Sequence, residues 1–144
     1  MKNIVTRITV EVLGSPKEHV EKALRNVIEK LKADDNIKVT KVQMFECKQM
    51  DNKLWSTFAD IEFESKELKI VLGICFDYMP STVEILDPAG IEMDTNDVAD
   101  LLNDMLTKLH KYSLVLTKLQ TENIYMMKEL EKASGKKTKG RTSI

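Results

Sequence analysis

The sequence is poor in the residues from which catalytic and metal sites are usually built. It has two cysteines, two histidines and five glycines in 144 residues. Cys47 and Cys75 form no CxxC pair and have no histidine beside them, so neither a zinc site nor a disulfide framework is indicated. The glycines are scattered and form neither a P-loop nor a dinucleotide-binding turn. His19 and His110 are expected to be structural or solvent-exposed. We therefore expect no catalytic residue, no metal and no cofactor, in a protein that is not an enzyme.

Long apolar runs are also missing. No stretch approaches the roughly 20 consecutive apolar residues that a helix needs to cross a bilayer. The first residues, MKNIVTRITVEV, alternate apolar and polar side chains and lack the uninterrupted apolar core of a signal peptide. Only 6% of the residues are aromatic, so the core must be built from leucine, isoleucine, valine and methionine. These features predict a cytoplasmic protein that does not associate with membranes.

The charge of the chain is unevenly distributed. There are 22 basic and 23 acidic side chains, a formal net charge of −1. The C-terminal stretch SGKKTKGRTSI holds four cations and no acid, which leaves 18 basic and 23 acidic side chains, or −5, elsewhere. The four cations are Lys136, Lys137, Lys139 and Arg141. Because phosphate binding relies on such cations, a disordered basic tail over residues 135–144 is compatible with weak nucleic-acid binding. A solvated tail without a ligand is the alternative.

Residues 1–90 alternate strand and helix patterns. Apolar side chains recur at every second position over residues 3–13, in LWSTFADIEFE and in STVEIL, which predicts strands. Residues 37–48 show the same alternation with one change of parity, and a bulge near residues 40–41 would reconcile the two halves. The intervening segment KQMDNK is expected to be a turn.

Two helices are expected between these strands. In GSPKEHVEKAL, Ser15 suits the N-cap, Pro16 suits the first helical position and Glu18 completes a capping box. Ser65 is expected to cap a second helix, which Pro80 ends. The order βαββαβ predicts an α+β fold with a ferredoxin-like layout, in which two helices cover one face of a four-stranded antiparallel sheet.

Residues 91–134 are expected to form one long helix, because they contain no glycine or proline after the DPAG turn. From Leu102 to Ala133 the apolar positions are spaced alternately by three and four, which is the a and d pattern of a coiled coil over five heptads. Asn123 is the exception, at an a position. A buried amide that pairs with its symmetry mate favours a parallel, in-register dimer at some cost in stability. The predicted self-association surface consists of Leu109, Tyr112, Leu116, Leu119, Asn123, Met126 and Leu130.

The alternative is that this helix folds back on its own sheet with Asn123 at the solvent edge. Leu101, Leu106 and Val115 widen the apolar stripe beyond a two-helix seam. A helix of about 39 residues is roughly 58 Å long, about twice what a sheet of this size covers. We therefore expect the first half to dock and the second half to project. The protein is then a homodimer through residues 105–133, or pairs there with an unidentified protein partner.

Two further patterns have simpler explanations. Four aspartates at the start of the last helix could share a divalent cation, but the helix dipole favours acids in a first turn without any metal. The segment STFADIEFES has a passing likeness to the third strand of an RNA-recognition motif. It lacks the basic and glycine positions, and the first strand offers no aromatic residue.

The sequence thus predicts an α/β domain over residues 1–90, a long helix over residues 91–134 and a basic tail. The leading interpretation is a non-catalytic, dimerising adaptor or interaction module that uses the long helix. The second is a nucleic-acid-associated protein that binds weakly through the tail. The third is a small-molecule-binding regulatory domain, since sheets of this topology often pair around ligands.

Overall fold

The computed structural model describes residues 3–135, and the chain divides into two compact units between Asp94 and Thr95. In chain order the elements are β1 (Ile4–Gly14), α1 (Lys17–Ala33), β2 (Ile37–Met44), β3 (Lys48–Gln49), a 3-10 turn (Asp51–Lys53), β4 (Trp55–Ser65), α2 (Leu68–Tyr78), β5 (Thr82–Asp87) and α3 (Thr95–Ser134). None of the helices in the described part of the chain has the length and apolar character required to cross a membrane.

The first unit is built on one antiparallel sheet. The strand order is β2-β4-β1-β5, and the short β3 pairs with the beginning of β4. β1 and β4 pair along their whole lengths, from Ile4 opposite Ser65 to Gly14 opposite Trp55. The predicted mixed α+β chain with an antiparallel sheet and a long C-terminal helix is confirmed. The sheet has five strands instead of the predicted four, because part of the KQMDNK segment pairs with β4 as β3.

Both short helices pack on the same face of this sheet. Ile8, Ile61 and Phe63 point to that face and are fully buried. From α1 the core receives Val20, Leu24, Ile28 and Leu31, and from α2 it receives Val71 and Ile74. The apolar side of the amphipathic helix α1 therefore packs against the apolar side of the strands, in which every second residue points to the core. The opposite face of the sheet is not covered by α1 or α2 and is called the open face below.

The predicted bulge in the second strand is confirmed. The pairing of β2 with β4 shifts register between Val39 and Lys41, so that Thr40 is the extra residue. The shift lets Val39 and Val42 both pack against the core although their parities differ.

Both predicted helix caps are wrong. α1 begins at Lys17, and the carbonyl of Pro16, not of Ser15, accepts hydrogen bonds from the backbone N–H groups of His19 (3.1 Å) and Val20 (3.2 Å). Ser65 still pairs with Ile4 and Ile37 as the last residue of β4. Strand alternation turns its side chain into the core, so it cannot cap α2, whose N-cap is Glu67.

Candidate functional site

The predicted self-association surface lies on one uninterrupted helix. α3 runs for 40 residues from Thr95 to Ser134, close to the predicted bounds. Its outer hydroxyls bond to the helix itself: Thr117 donates to the carbonyl of Ser113 and Thr121 to that of Thr117, both at 3.0 Å. These two hydroxyls therefore find their hydrogen-bond acceptors within α3 itself.

All seven predicted self-association residues are on α3 and exposed. Among the six apolar ones the exposed fraction ranges from 39% for Tyr112 to 68% for Leu130. Asn123, the predicted polar a position, is exposed as well. No described residue of α3 is buried. A helix of this length with an exposed apolar stripe is typical of a binding element, since exposed apolar surface of this extent marks interaction sites.

The apolar surface of α3 is wider than an a/d seam. Six further large apolar side chains on other heptad positions are exposed: Leu106, Leu114, Val115, Ile124, Tyr125 and Met127. Leu114, at an f position opposite the seam, is 71% exposed and so is equivalent to Leu116 in type and exposure. This pair offers a matched comparison between seam and outer positions. The predicted basic residues Lys136, Lys137, Lys139 and Arg141 lie outside the described residues.

A second candidate surface is the open face of the sheet. Arg7 at its centre donates to Glu62 of β4 at 3.3 Å and to Glu84 of β5 at 3.4 Å. Beside this pair, Thr9 Oγ1 donates to Asp60 at 2.7 Å. Each of these side-chain hydrogen bonds joins two neighbouring strands, so the register of the sheet determines which charged groups lie side by side. The acids of β4 occupy the positions where a phosphate backbone would approach, which disfavours nucleic-acid binding on this face.

A shallow groove lies at one end of the open face. Its volume is about 320 Å³ and it is lined by Thr9, Glu11, Glu46, Lys48, Met50, Ser56 and Phe58. Phe58 stacks on Phe45 with ring centroids 4.4 Å apart and an interplanar angle of 19°. Ser56 donates a 3.0 Å hydrogen bond to Glu11, which holds that carboxylate at the groove. The aromatic ring and the two carboxylates can attract a small organic cation, whereas the Lys48 ammonium group would favour an anionic group of a ligand.

The sequence did not indicate this groove. Glu11 and Phe58 become neighbours because they are paired between β1 and β4. Lys48 enters only because β3 pairs with β4 opposite Ser56. A two-residue strand has no periodicity of its own, so no local signal could have placed it.

The titratable groups with shifted pKa values lie away from the groove. Burial raises the pKa of the Cys75 thiol. The pKa of Tyr78 is raised by burial and then by the negative charges of Asp34 and Asp77. A raised pKa lowers the thiolate fraction of a cysteine, and so its reactivity as a nucleophile. Within residues 3–135, no three carboxylate, histidine or cysteine side chains are grouped as metal ligands.

The chain therefore combines an antiparallel α+β domain with a long helix that carries an exposed apolar stripe. The chain belongs to the MJ0538 family, whose model matches residues 5–138 and therefore both units. Comparisons with curated proteins and with solved structures give no match.

Proposed function

We propose that this protein is a non-catalytic interaction module that dimerises through α3. The a and d positions of α3 form a parallel two-stranded coiled coil, in which Asn123 pairs with the same residue of the second copy. In such a pair the leucines of the seam fill holes on the facing helix, and each fully buried side chain contributes about 1.5–3 kcal/mol.

The observation that carries this proposal is the exposed stripe on an unbroken 40-residue helix. A single amphipathic helix in water gains little from propensity alone and depends on packing of its apolar face. The alternating spacing of three and four continues through the second half of α3, and a sustained heptad pattern favours another helix of the same pattern as partner. A second copy of this chain has the same heptad pattern. In a parallel, in-register pair, Asn123 then lies opposite Asn123 of the second copy.

The test compares Leu116→Asp with Leu114→Asp in sedimentation equilibrium of the full chain. Leu116 is at a seam position and Leu114 is on the opposite side of the helix. Both leucines are more than half exposed, so neither aspartate disturbs a buried core. We expect the wild type and the Leu114 variant to be dimers at tens of micromolar and the Leu116 variant to be a monomer. A monomeric wild type, or equal behaviour of the two variants, contradicts the proposal.

We also propose that the first unit is a ferredoxin-like domain in which β3 and the 3-10 turn form an insertion. The order of the four longer strands and the two helices on one face support this assignment. In this interpretation the domain supplies surfaces for a partner.

A second candidate function, small-molecule binding, is favoured by the groove at Phe58. Its volume of about 320 Å³ suits a small organic molecule. Phenethylamine combines an aromatic ring with an ammonium group and is a suitable probe. Its addition should shift the amide resonances of Thr9 and Ser56 in the wild type and not in Phe58→Ala. Shifts of equal size in both proteins would exclude the groove as the site.

A further inference from the structure

The two edges of the sheet differ in how they are protected. β2 and β5 are the edge strands. β2 carries Lys38 and Lys41 on the open face and a bulge at Thr40, and lysines and bulges both discourage the addition of another strand. β5, with the sequence TVEILD, contains no lysine, arginine or proline.

The helix side of β5 is only partly covered. Val83 and Ile85 point to the same side as the buried Ile8 and Thr6, their partners in β1. They are nevertheless 51% and 39% exposed, because α2 packs over β1 and β4. On the open face, the carboxylate of Glu84 remains largely exposed although it contacts Arg7 at 3.4 Å.

The backbone of β5 is also open on its outer side. In an antiparallel ladder alternate residues direct their N–H and C=O groups away from the paired strand. Within the described part of the chain, β5 has β1 as its only partner strand. The register shifts beyond Ile85, so the regular edge is Thr82–Ile85, about 13 Å long.

The chain segment that contains this edge carries charge of one sign, and the Arg7 guanidinium beside Glu84 is shared with Glu62 of β4. Residues 70–94 contain no lysine or arginine. Their five acids are Asp77, Glu84, Asp87, Glu92 and Asp94. Two β5 strands paired across a two-fold axis would bring Glu84 close to its own equivalent, and like charges on facing strands are destabilising. The charge pattern thus disfavours a second copy on this edge and favours a basic strand.

We infer that β5 binds an extended segment of a partner protein in which apolar and basic residues alternate, added to the sheet as one more strand. Its apolar residues would cover Val83 and Ile85, and its lysine or arginine residues would lie beside Glu84 on the open face. Backbone hydrogen bonds along Thr82–Ile85 supply the affinity, and the alternating side chains supply the specificity. This inference goes beyond the proposed dimerisation and does not depend on it.

The experiment titrates full-length protein with an acetylated nine-residue peptide of alternating lysine and valine. A matched peptide has glutamate in place of lysine. Calorimetry gives the dissociation constants, and amide resonances report the site. We expect the lysine peptide to bind more tightly than the glutamate peptide and to shift the amides of β5. A lysine peptide methylated at alternate backbone nitrogens should lose binding, since it cannot complete the ladder.

Charge reversal supplies the decisive variants. Glu84→Lys should weaken the lysine peptide about fivefold and strengthen the glutamate peptide, as expected for a cross-strand charge pair. Glu29→Lys on the exposed side of α1 makes the same change in net charge and should alter neither affinity. The Leu116→Asp variant should bind the lysine peptide as tightly as the wild type does. Peptide binding therefore tests the β5 inference independently of the proposed dimerisation through α3.

Several results would overturn the inference. Equal effects of the two charge reversals would show unspecific attraction, and undiminished binding of the methylated peptide would exclude strand addition. Shifts confined to residues outside β5 would place the peptide elsewhere. If β5 resonances depend on protein concentration without any peptide, and Glu84→Lys changes that dependence, then a second copy occupies the edge instead of a partner.

Discussion

The first unit and α3 use similar apolar side chains in opposite ways. In the first unit Leu24, Leu31 and Phe63 are completely buried, whereas Leu116 and Leu130 of α3 are more than 60% exposed. The strands and helices of the first unit present patterns of different period whose apolar sides meet within the chain. α3 repeats one pattern over its whole length. The difference indicates that contacts within the first unit bury its apolar side chains, and it is the basis of our proposal that α3 binds a second copy.

This contrast predicts that substitutions in the two regions lower stability in different ways. Loss of a core side chain should unfold the first unit at any protein concentration. Loss of a seam side chain should act through association, and its effect should therefore depend on concentration.

The largest effect is expected for Phe63→Ala. Phe63 is fully buried near the end of β4, and truncation of a buried phenylalanine typically costs about 3–5 kcal/mol of unfolding free energy. Denaturant unfolding followed by the emission of Trp55, the one tryptophan of the chain, measures it. Leu116→Ala should leave this Trp55 transition unchanged at low protein concentration. A comparable loss in both variants would contradict the separation between the two regions.

The success of sequence-based prediction follows the same division. Strand faces, the bulge at Thr40 and the bounds of α3 could be predicted because each depends on local periodicity or on the absence of glycine and proline. The caps at Ser15 and Ser65 were wrong because the ends of β1 and β4 are set by pairing with other strands. β3 and the groove were missed for the same reason: register brings together residues far apart in sequence.

Asn123→Leu should raise the melting temperature of the α3 assembly and broaden its choice of oligomer. Replacing the amide pair in the seam should raise the free energy of unfolding of the assembly by roughly 1–2 kcal/mol, because an a-position asparagine lowers stability while it specifies orientation. Helical circular dichroism at several concentrations, with sedimentation, measures both effects. Gln120→Leu adds the same side chain outside the a and d positions and is the control. Unchanged stability and an unchanged oligomer in Asn123→Leu would place this residue outside the seam.

A smaller effect is expected at Thr6, whose side chain tests the core of the first unit. Its Oγ1 is buried and has no hydrogen-bond partner within residues 3–135. Thr57 is also buried, but its Oγ1 donates to the carbonyl of Phe45 at 3.2 Å. Thr6→Val should therefore stabilise the first unit by about 1 kcal/mol, and Thr57→Val should destabilise it by a similar amount. Destabilisation by Thr6→Val would indicate that a buried water satisfies the hydroxyl.

The smallest effect on stability is expected from deleting residues 135–144, and this deletion also decides the nucleic-acid hypothesis. The melting temperature should not change, because the sequence predicts a solvated tail and such a tail contributes little to a fold. Binding to duplex DNA should be weak in the full chain, fall with salt at a slope of about −0.9 per phosphate contact, and disappear in the truncated chain. In a dimer two tails can engage one duplex, so Leu116→Asp should weaken binding further through loss of effective concentration. Sequence-selective binding that survives the deletion would instead assign nucleic-acid recognition to the open face, where Arg7, Lys41 and Phe58 would be the first residues to substitute.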